Sequence, residues 1–189
     1  MILALCLVQG EVCMFLNVRD LELRPQQFSQ EFPPGSIDLL DERLRQNSVL
    51  KVEGRADYSP ALQEIRIAGH LNVELASECD RCLEECRFLL DADFRLSYMP
   101  ADANVAPEEA GLNDEEASLG FYEGDGLDLI EVFREQVVLG APMHWLCKED
   151  CKGLCPICGE NWNQRSCGCQ AVDVQDRWSA LRAWKAAKQ

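Results

Sequence analysis

The sequence predicts an α+β fold: an antiparallel β-sheet, a meander or partial barrel, with a helix and a zinc-stapled C-terminal module. Three observations carry this. Apolar and polar residues alternate through three runs between Leu50 and Tyr98, an apolar stripe of helical spacing follows from Leu129 to Val137, and six of the eleven cysteines fall between Cys147 and Cys169. Period-two alternation puts one side of a strand in a core and the other in water, whereas the 3.6 period does the same for a helix.

At 189 residues the chain is long enough for one domain with its own core plus an appendage. Hydrophobic content of 47% with 27% charged residues is ordinary for a globular chain. No run approaches the ~18 consecutive apolar residues of a membrane span. Met1 to Val8 is apolar but short, without a basic flank or a small-residue cleavage site. Residues 1–13, with Cys6 and Cys13, therefore read as a non-native or disordered leader, with Met14 an equally good start. Residues 14–142 then form the α+β domain with an acidic loop at 100–126. The cysteine-rich zinc module takes 143–172, and a C-terminal helix takes 173–189. An odd cysteine count, metal-type spacing and the missing export signal point to a reducing cytoplasm. The formal net charge of −15 opposes nonspecific coating of nucleic acid and favours basic partners.

Taken in order, Phe15 to Leu23 alternates loosely and reads as a first strand, after which Pro25, Pro33, Pro34 and Gly35 break the pattern. Leu50, Val52, Gly54, Ala56 and Tyr58 share a face opposite Lys51, Glu53, Arg55 and Asp57. Ser59-Pro60 makes a turn, and Ile65, Ile67, Leu71, Val73 and Leu75 continue as the second arm of a hairpin. A third strand runs through Phe88, Leu90, Ala92, Phe94, Leu96 and Tyr98, which suggests a meander with one wet face. Between Pro100 and Gly126 lie eight acidic residues and no Lys or Arg, a solvated loop that is either a linker or an acidic contact. Asp128 with Glu131 resembles a capping box opening a helix on Leu129, Ile130, Phe133 and Val137, which Pro142 ends. Asp173 caps a last helix carrying Val174, Trp178 and Leu181. No internal repeat is visible.

The cysteines carry the chemistry. Cys155-Pro156-Ile157-Cys158-Gly159 is a knuckle in which two thiolates at i and i+3 can face one ion, with Gly159 free to take a positive φ. Zinc suits a closed four-thiolate cage because it is redox-inert and accepts tetrahedral sulfur. Cys167 and Cys169 can complete that site, leaving Cys147 and Cys151 to pair with the distant Cys79-Asp80-Arg81-Cys82. A competing division groups Cys151, Cys155, Cys158 and Cys167 and leaves Cys79 and Cys82 as a separate dithiol. Spacing does not separate the two. His144 reads as a loop histidine, His70 as a solvated one, and Cys86 as a small apolar side chain. No phosphate loop, nucleophile elbow or H-E-x-x-H is present, and no constellation suggests an enzyme or a small-molecule substrate.

Together Cys79-Asp80-Arg81-Cys82-Leu83, the helix running to Pro142, and Asp150-Cys151, Gly153-Leu154-Cys155, Cys158-Gly159, Asn161, Asn163, Cys167 and Cys169 resemble the YceD-like family, the large ribosomal RNA subunit accumulation proteins. The resemblance covers roughly residues 14 to 169. It implies a non-catalytic cytoplasmic protein needed for accumulation of large-subunit (23S) ribosomal RNA, whose partner is the large-subunit precursor. Contact would run through basic ribosomal or assembly proteins, or through RNA touched by Lys148, Lys152, Trp162, Arg165, Arg177, Arg182, Lys185 and Lys188. The alternative is a redox-responsive protein whose Cys79 and Cys82 form a reversible disulfide or release zinc.

Overall fold

The computed structural model describes residues 6–8, 11–101 and 119–169. Residues 102–118, which hold most of the acidic loop, and 170–189, which hold the expected C-terminal helix, lie outside them. Its elements are β1 (Cys6–Val8), β2 (Glu11–Cys13), β3 (Phe15–Asn17), α1 (Val18–Leu23), β4 (Gln26–Phe32), β5 (Arg45–Gln46), β6 (Leu50–Ser59), β7 (Glu64–Glu78), β8 (Glu85–Pro100), β9 (Leu119–Tyr122), β10 (Gly126–Asp128) and α2 (Leu129–Gly140). The described residues are therefore mostly β-sheet with few helices. No helix among the described residues is long and apolar enough to cross a membrane.

The main sheet runs β4-β6-β7-β8-β9, with β5 pairing the far end of β7. Its three central strands form the expected meander. Leu50, Val52 and Ala56 on β6, and Ile65, Ile67, Leu71, Val73 and Leu75 on β7, are all buried on the core side. Neighbouring strands are antiparallel except at the edge, where β9 runs parallel to β8 over Ser97–Pro100. The ribbon of β1 and β2 joins neither of the other sheets. Met14 and Leu16 are buried in the core.

Three expectations need correction. Phe15 to Leu23 is not one strand: Asn17 accepts a hydrogen bond from the Arg19 N–H and starts α1, which buries only Leu21. The proline-flanked stretch expected to be irregular contains β4, whose Phe28 and Phe32 point inward while the intervening residues are polar. Part of the acidic loop is also ordered, because β9 and β10 lie within 119–128 and β10 pairs β3. The helix itself is as expected. The Asp128 carboxylate accepts the Ile130 N–H, and α2 ends one residue before the Ala141–Pro142 junction. Glu131, however, turns to Arg134 rather than closing a capping box.

A row of four residues crosses the sheet at one level: Phe28, Gly54, Gly69 and Phe94 on β4, β6, β7 and β8. A Cβ on Gly54 would sit 2.6 Å from the Phe28 ring, and one on Gly69 would sit 2.7 Å from the Phe94 ring. The two glycines thus leave the space into which both rings lean. Phe133 of α2 seats on them, with ring centroids 5.4 Å from Phe28 and 6.5 Å from Phe94. This contact fixes the helix, and hence the exit of the chain toward the cysteines. Phe133→Ala is expected to cost ~3–5 kcal/mol of unfolding free energy, read by denaturant titration.

On the wet face His70 is not merely solvated. Its Nδ1 lies 2.9 Å from the Asp93 carboxylate and its Nε2 3.3 Å from Asp91. The hydrogen bond to Asp93, with the charges of Asp91, Asp93 and Glu53, raises the imidazole above its usual range. A raised folded-state value favours the protonated ring. The stabilisation is therefore full below the ordinary imidazole value and is lost as pH rises through the folded one. An NMR titration is expected to show His70 titrating above a free imidazole, with Asp93→Asn lowering it.

Candidate metal centre

β7 and β8 pair without a break from Ile65–Tyr98 to Glu78–Glu85, so the turn between them is held at the end of a long rigid ladder. Cys79 and Cys82 sit on that turn. The segment leaving α2 returns alongside it: the Asp80 N–H donates to the Trp145 carbonyl at 2.8 Å, and the Trp145 N–H donates to the Asp80 carboxylate at 2.9 Å. This brings Cys147 and Cys151 to the same point. The four sulfurs of Cys79, Cys82, Cys147 and Cys151 lie within 4.8 Å of one another, and those of Cys155, Cys158, Cys167 and Cys169 form a second group of the same kind. The grouping of Cys151 with Cys155, Cys158 and Cys167 is not what the structure brings together.

Both groups fit a metal ion by geometry and by chemistry. A tetrahedral ion ~2.3 Å from each sulfur requires sulfurs about 3.8 Å apart, and Cys82–Cys147 and Cys79–Cys151 are separated by 3.6 and 3.8 Å. Several N–H groups are aimed at the sulfurs, while the Glu84 carboxylate lies 4.0 Å from Cys82 as an acceptor. The Cys147 N–H reaches Cys79 and the Ile157 N–H reaches Cys155, both at 3.5 Å, and the Trp162 indole N–H reaches Cys167 at 3.3 Å.

The thiol acidities divide accordingly. Burial resists ionisation of Cys79, but the N–H groups of Cys147, Arg81 and Cys82 outweigh it and bring the thiol to about 6. Burial then pushes Cys82 to about 12, with the adjacent Cys79, Cys147 and Cys151 adding to it. In the second group the Trp162 indole brings Cys167 to about 6, while Cys158, burial and Cys167 push Cys169 to about 12. In each cage the first thiolate forms easily and opposes the last, so four thiolates together require a cation. Cys86 lies beside the first cage, buried. Burial and the Cys79 charge raise its thiol to about 11, so it packs as a neutral side chain.

The two knuckles are copies of each other, a repeat the sequence did not reveal. The Cys79 N–H donates to the Glu84 carbonyl and the Cys155 N–H to the Glu160 carbonyl, each at 2.8 Å. The Leu83 N–H donates to Cys79 and the Gly159 N–H to Cys155, each at 2.9 Å. Both Leu83 (φ 62°) and Gly159 (φ 74°) are left-handed. The sequence signal for this turn is glycine after the second cysteine, and leucine in that place conceals the first copy.

His144 is exposed, with Nδ1 3.7 Å from the Asp80 carboxylate. Arg165 is engaged by Glu160 at 2.6 Å, Lys148 lies 4.0 Å from Asp150, and the Trp162 indole is turned to Cys167, so these do not form one free basic stripe. Arg177, Arg182, Lys185 and Lys188 lie outside the described residues. Glu84 also belongs to the site, with no local pattern to signal it: its carboxylate accepts from Asn161 and Gln164 and ties the segment after the second knuckle to the first.

Gly159→Leu is expected to weaken the second cage by ~1–2 kcal/mol, the cost of a side chain in the left-handed region. Leu83→Gly should leave the first cage unchanged within the error of chelator competition.

A family model described as large ribosomal RNA subunit accumulation protein YceD matches residues 67–185, a span that includes all eight of these cysteines. Three uncharacterized proteins, one from Mycobacterium bovis and two from strains of Mycobacterium tuberculosis, are each 26% identical to this chain over 148 residues, covering 78% of it and 68% of their own length. No solved structure matches at a significant level.

Proposed function

Since this chain belongs to the family of the large ribosomal RNA subunit accumulation protein YceD, we propose that it is a non-catalytic, zinc-binding factor that supports accumulation of large-subunit (23S) ribosomal RNA in the cytoplasm. The family match carries this reading, because it spans both cysteine groups and the strands that present them. Zinc is the ion of choice for two four-thiolate cages, supplying a redox-inert dication of tetrahedral preference. The residues holding it are Cys79, Cys82, Cys147 and Cys151 in one cage and Cys155, Cys158, Cys167 and Cys169 in the other. Each filled cage retains about −2 of charge, which adds to a formal net charge already at −15. Such a surface is complementary to basic ribosomal or assembly proteins and repels bare phosphate. The partner is therefore the large-subunit precursor approached through its proteins, with neither a membrane nor a small-molecule substrate involved.

The redox reading of Cys79 and Cys82 is disfavoured on two counts. Cys79 is fully buried at 0% exposure, out of reach of a partner thiol. The pair also lies between two strands, where a thioredoxin-type dithiol would open a helix.

Protein purified under reducing conditions is expected to hold two zinc ions per chain by elemental analysis. Chelation should disorder the region after Pro142 while the β-sheet remains by circular dichroism. Cells lacking the protein should show a lowered ratio of large- to small-subunit ribosomal RNA, and the tagged protein should sediment with large-subunit precursors. An unchanged ratio with no co-sedimentation would sink the proposed role.

A further inference from the structure

Asn161 and Asn163 lie in sequence between Cys158 and Cys167, inside the loop closed by the second cage, yet neither is a ligand. Their side chains face the first cage. Asn163 Nδ2 donates to the Cys151 sulfur at 3.3 Å and to Asn161 Oδ1 at 2.9 Å. Asn163 Oδ1 accepts the Lys152 N–H at 2.9 Å, which fixes the orientation of the amide. Asn161 Nδ2 donates to Glu84 Oε1 at 3.0 Å, and Gln164 Nε2 donates to the same oxygen at 2.7 Å, anchoring the turn to the first knuckle. The adjoining residue faces the other way, for Trp162 Nε1 donates to Cys167 of the second cage at 3.3 Å. Consecutive residues thus give one N–H to each cage. The backbone reinforces the strut: the Leu154 N–H donates to the Arg81 carbonyl and the Trp162 N–H to the Gly153 carbonyl, both at 3.0 Å.

We infer that Trp162 and Asn163 couple the two metal sites, so that filling the exposed second cage orders the 161–164 turn, presents the Asn163 amide to the Cys151 thiolate, and tightens the buried first cage. This rests on the metal-binding reading above and adds a regulation to it. The asymmetry of the sites sets the direction. In the second cage Cys158 and Cys169 are exposed, Cys167 is half-buried and only Cys155 is buried, whereas in the first Cys79, Cys82 and Cys151 are 0–4% exposed and only Cys147 is half-buried. The second cage is therefore the one that solvent, chelators and oxidants reach first, and its loss would be transmitted inward. An N–H donated to a metal-bound thiolate disperses its charge, and removing such a partner typically weakens a metal site by about 10- to 100-fold. Asn163 is a positioning residue in this scheme.

The test measures zinc release from the full-length zinc-loaded protein to a chromogenic chelator, with cobalt substitution reporting the thiolate charge-transfer bands of each site. Wild-type protein should release metal in two phases, the slower from the first cage. Asn163→Ala, which keeps all eight cysteines, should speed the slow phase by about 10-fold or more. Replacing Cys158 and Cys169 by Ser should abolish the fast phase and speed the slow one by a similar factor. Adding Asn163→Ala to that variant should then change the slow phase little, because the strut is already lost. A slow phase unaffected by either change would overturn the coupling while leaving the metal sites intact. Independent, multiplicative effects would also overturn it. Protein that binds neither zinc nor cobalt would overturn the metal-binding reading and the coupling with it.

Discussion

Gathering thiolates is the constraint on which the described structure beyond Pro142 depends. Between 143 and 169 only Cys151, Gly153 and Cys155 are buried. Ordering a residue costs ~1–2 kcal/mol of backbone entropy, and three buried positions cannot offset that over so long a segment by apolar burial. Sulfur ligation can, because a four-thiolate zinc site contributes on the order of 10 kcal/mol or more. The irregular backbone of this region follows from the same fact. A chain whose order comes from ligands needs neither a periodic apolar face nor a ladder, and it shows only one isolated bridge, Leu154 to Asn161.

The first cage is built largely by the sheet and only completed by the C-terminal segment. β7 and β8 hold Cys79 and Cys82 at the end of a continuous antiparallel ladder, whatever happens beyond Pro142. α2 contributes at a distance: Phe133 locks it across the Phe28–Gly54–Gly69–Phe94 row, so the chain leaves the helix at a fixed place and Trp145 meets Asp80. Trp145 also stands edge-on to Phe88, with ring centroids 6.3 Å apart. This accounts for Phe88, which shares the alternation of β8 but is 37% exposed: it supports the cysteine segment rather than the main core.

The parts legible in the sequence are those where one face of a regular element is buried. β6, β7 and the inward residues of β8 show their period because every second side chain meets the core. β4 escaped because Phe28 and Phe32 are four residues apart with the polar Gln30 on the same face, so alternation shows only at its ends. β9 escaped because it lies in an acidic stretch and pairs in parallel with β8, a contact that local pattern does not encode. The division of the cysteines was open for a similar reason. Cys79 and Cys151 are 72 residues apart in sequence, and what joins them is the backbone pairing of Asp80 with Trp145. The motif asparagines were visible as letters, but that Asn163 donates to the Cys151 sulfur and Asn161 to the Glu84 carboxylate required the fold.

The duplicated knuckle shows why one turn tolerates leucine and the other has glycine. A left-handed conformation costs a non-glycine residue ~1–2 kcal/mol and persists where the surroundings over-determine it. Leu83 is flanked by β7 and β8, whose pairing leaves the turn no alternative, and its side chain points outward at 60% exposure without further cost. Gly159 has no flanking strands, and nothing within 4 Å of its would-be Cβ holds the chain in place. There the conformation must be intrinsically easy, which glycine provides. The same contrast implies an order of assembly. The first cage presents half its ligands on a preformed scaffold and captures the rest, whereas the second must gather all four from a segment that its own ion orders. The entropic cost of forming a site thus falls mainly on the second cage, and the contacts of Asn161 and Gln164 to Glu84 of the first knuckle, with that of Asn163 to Cys151 of the first cage, are what lower it.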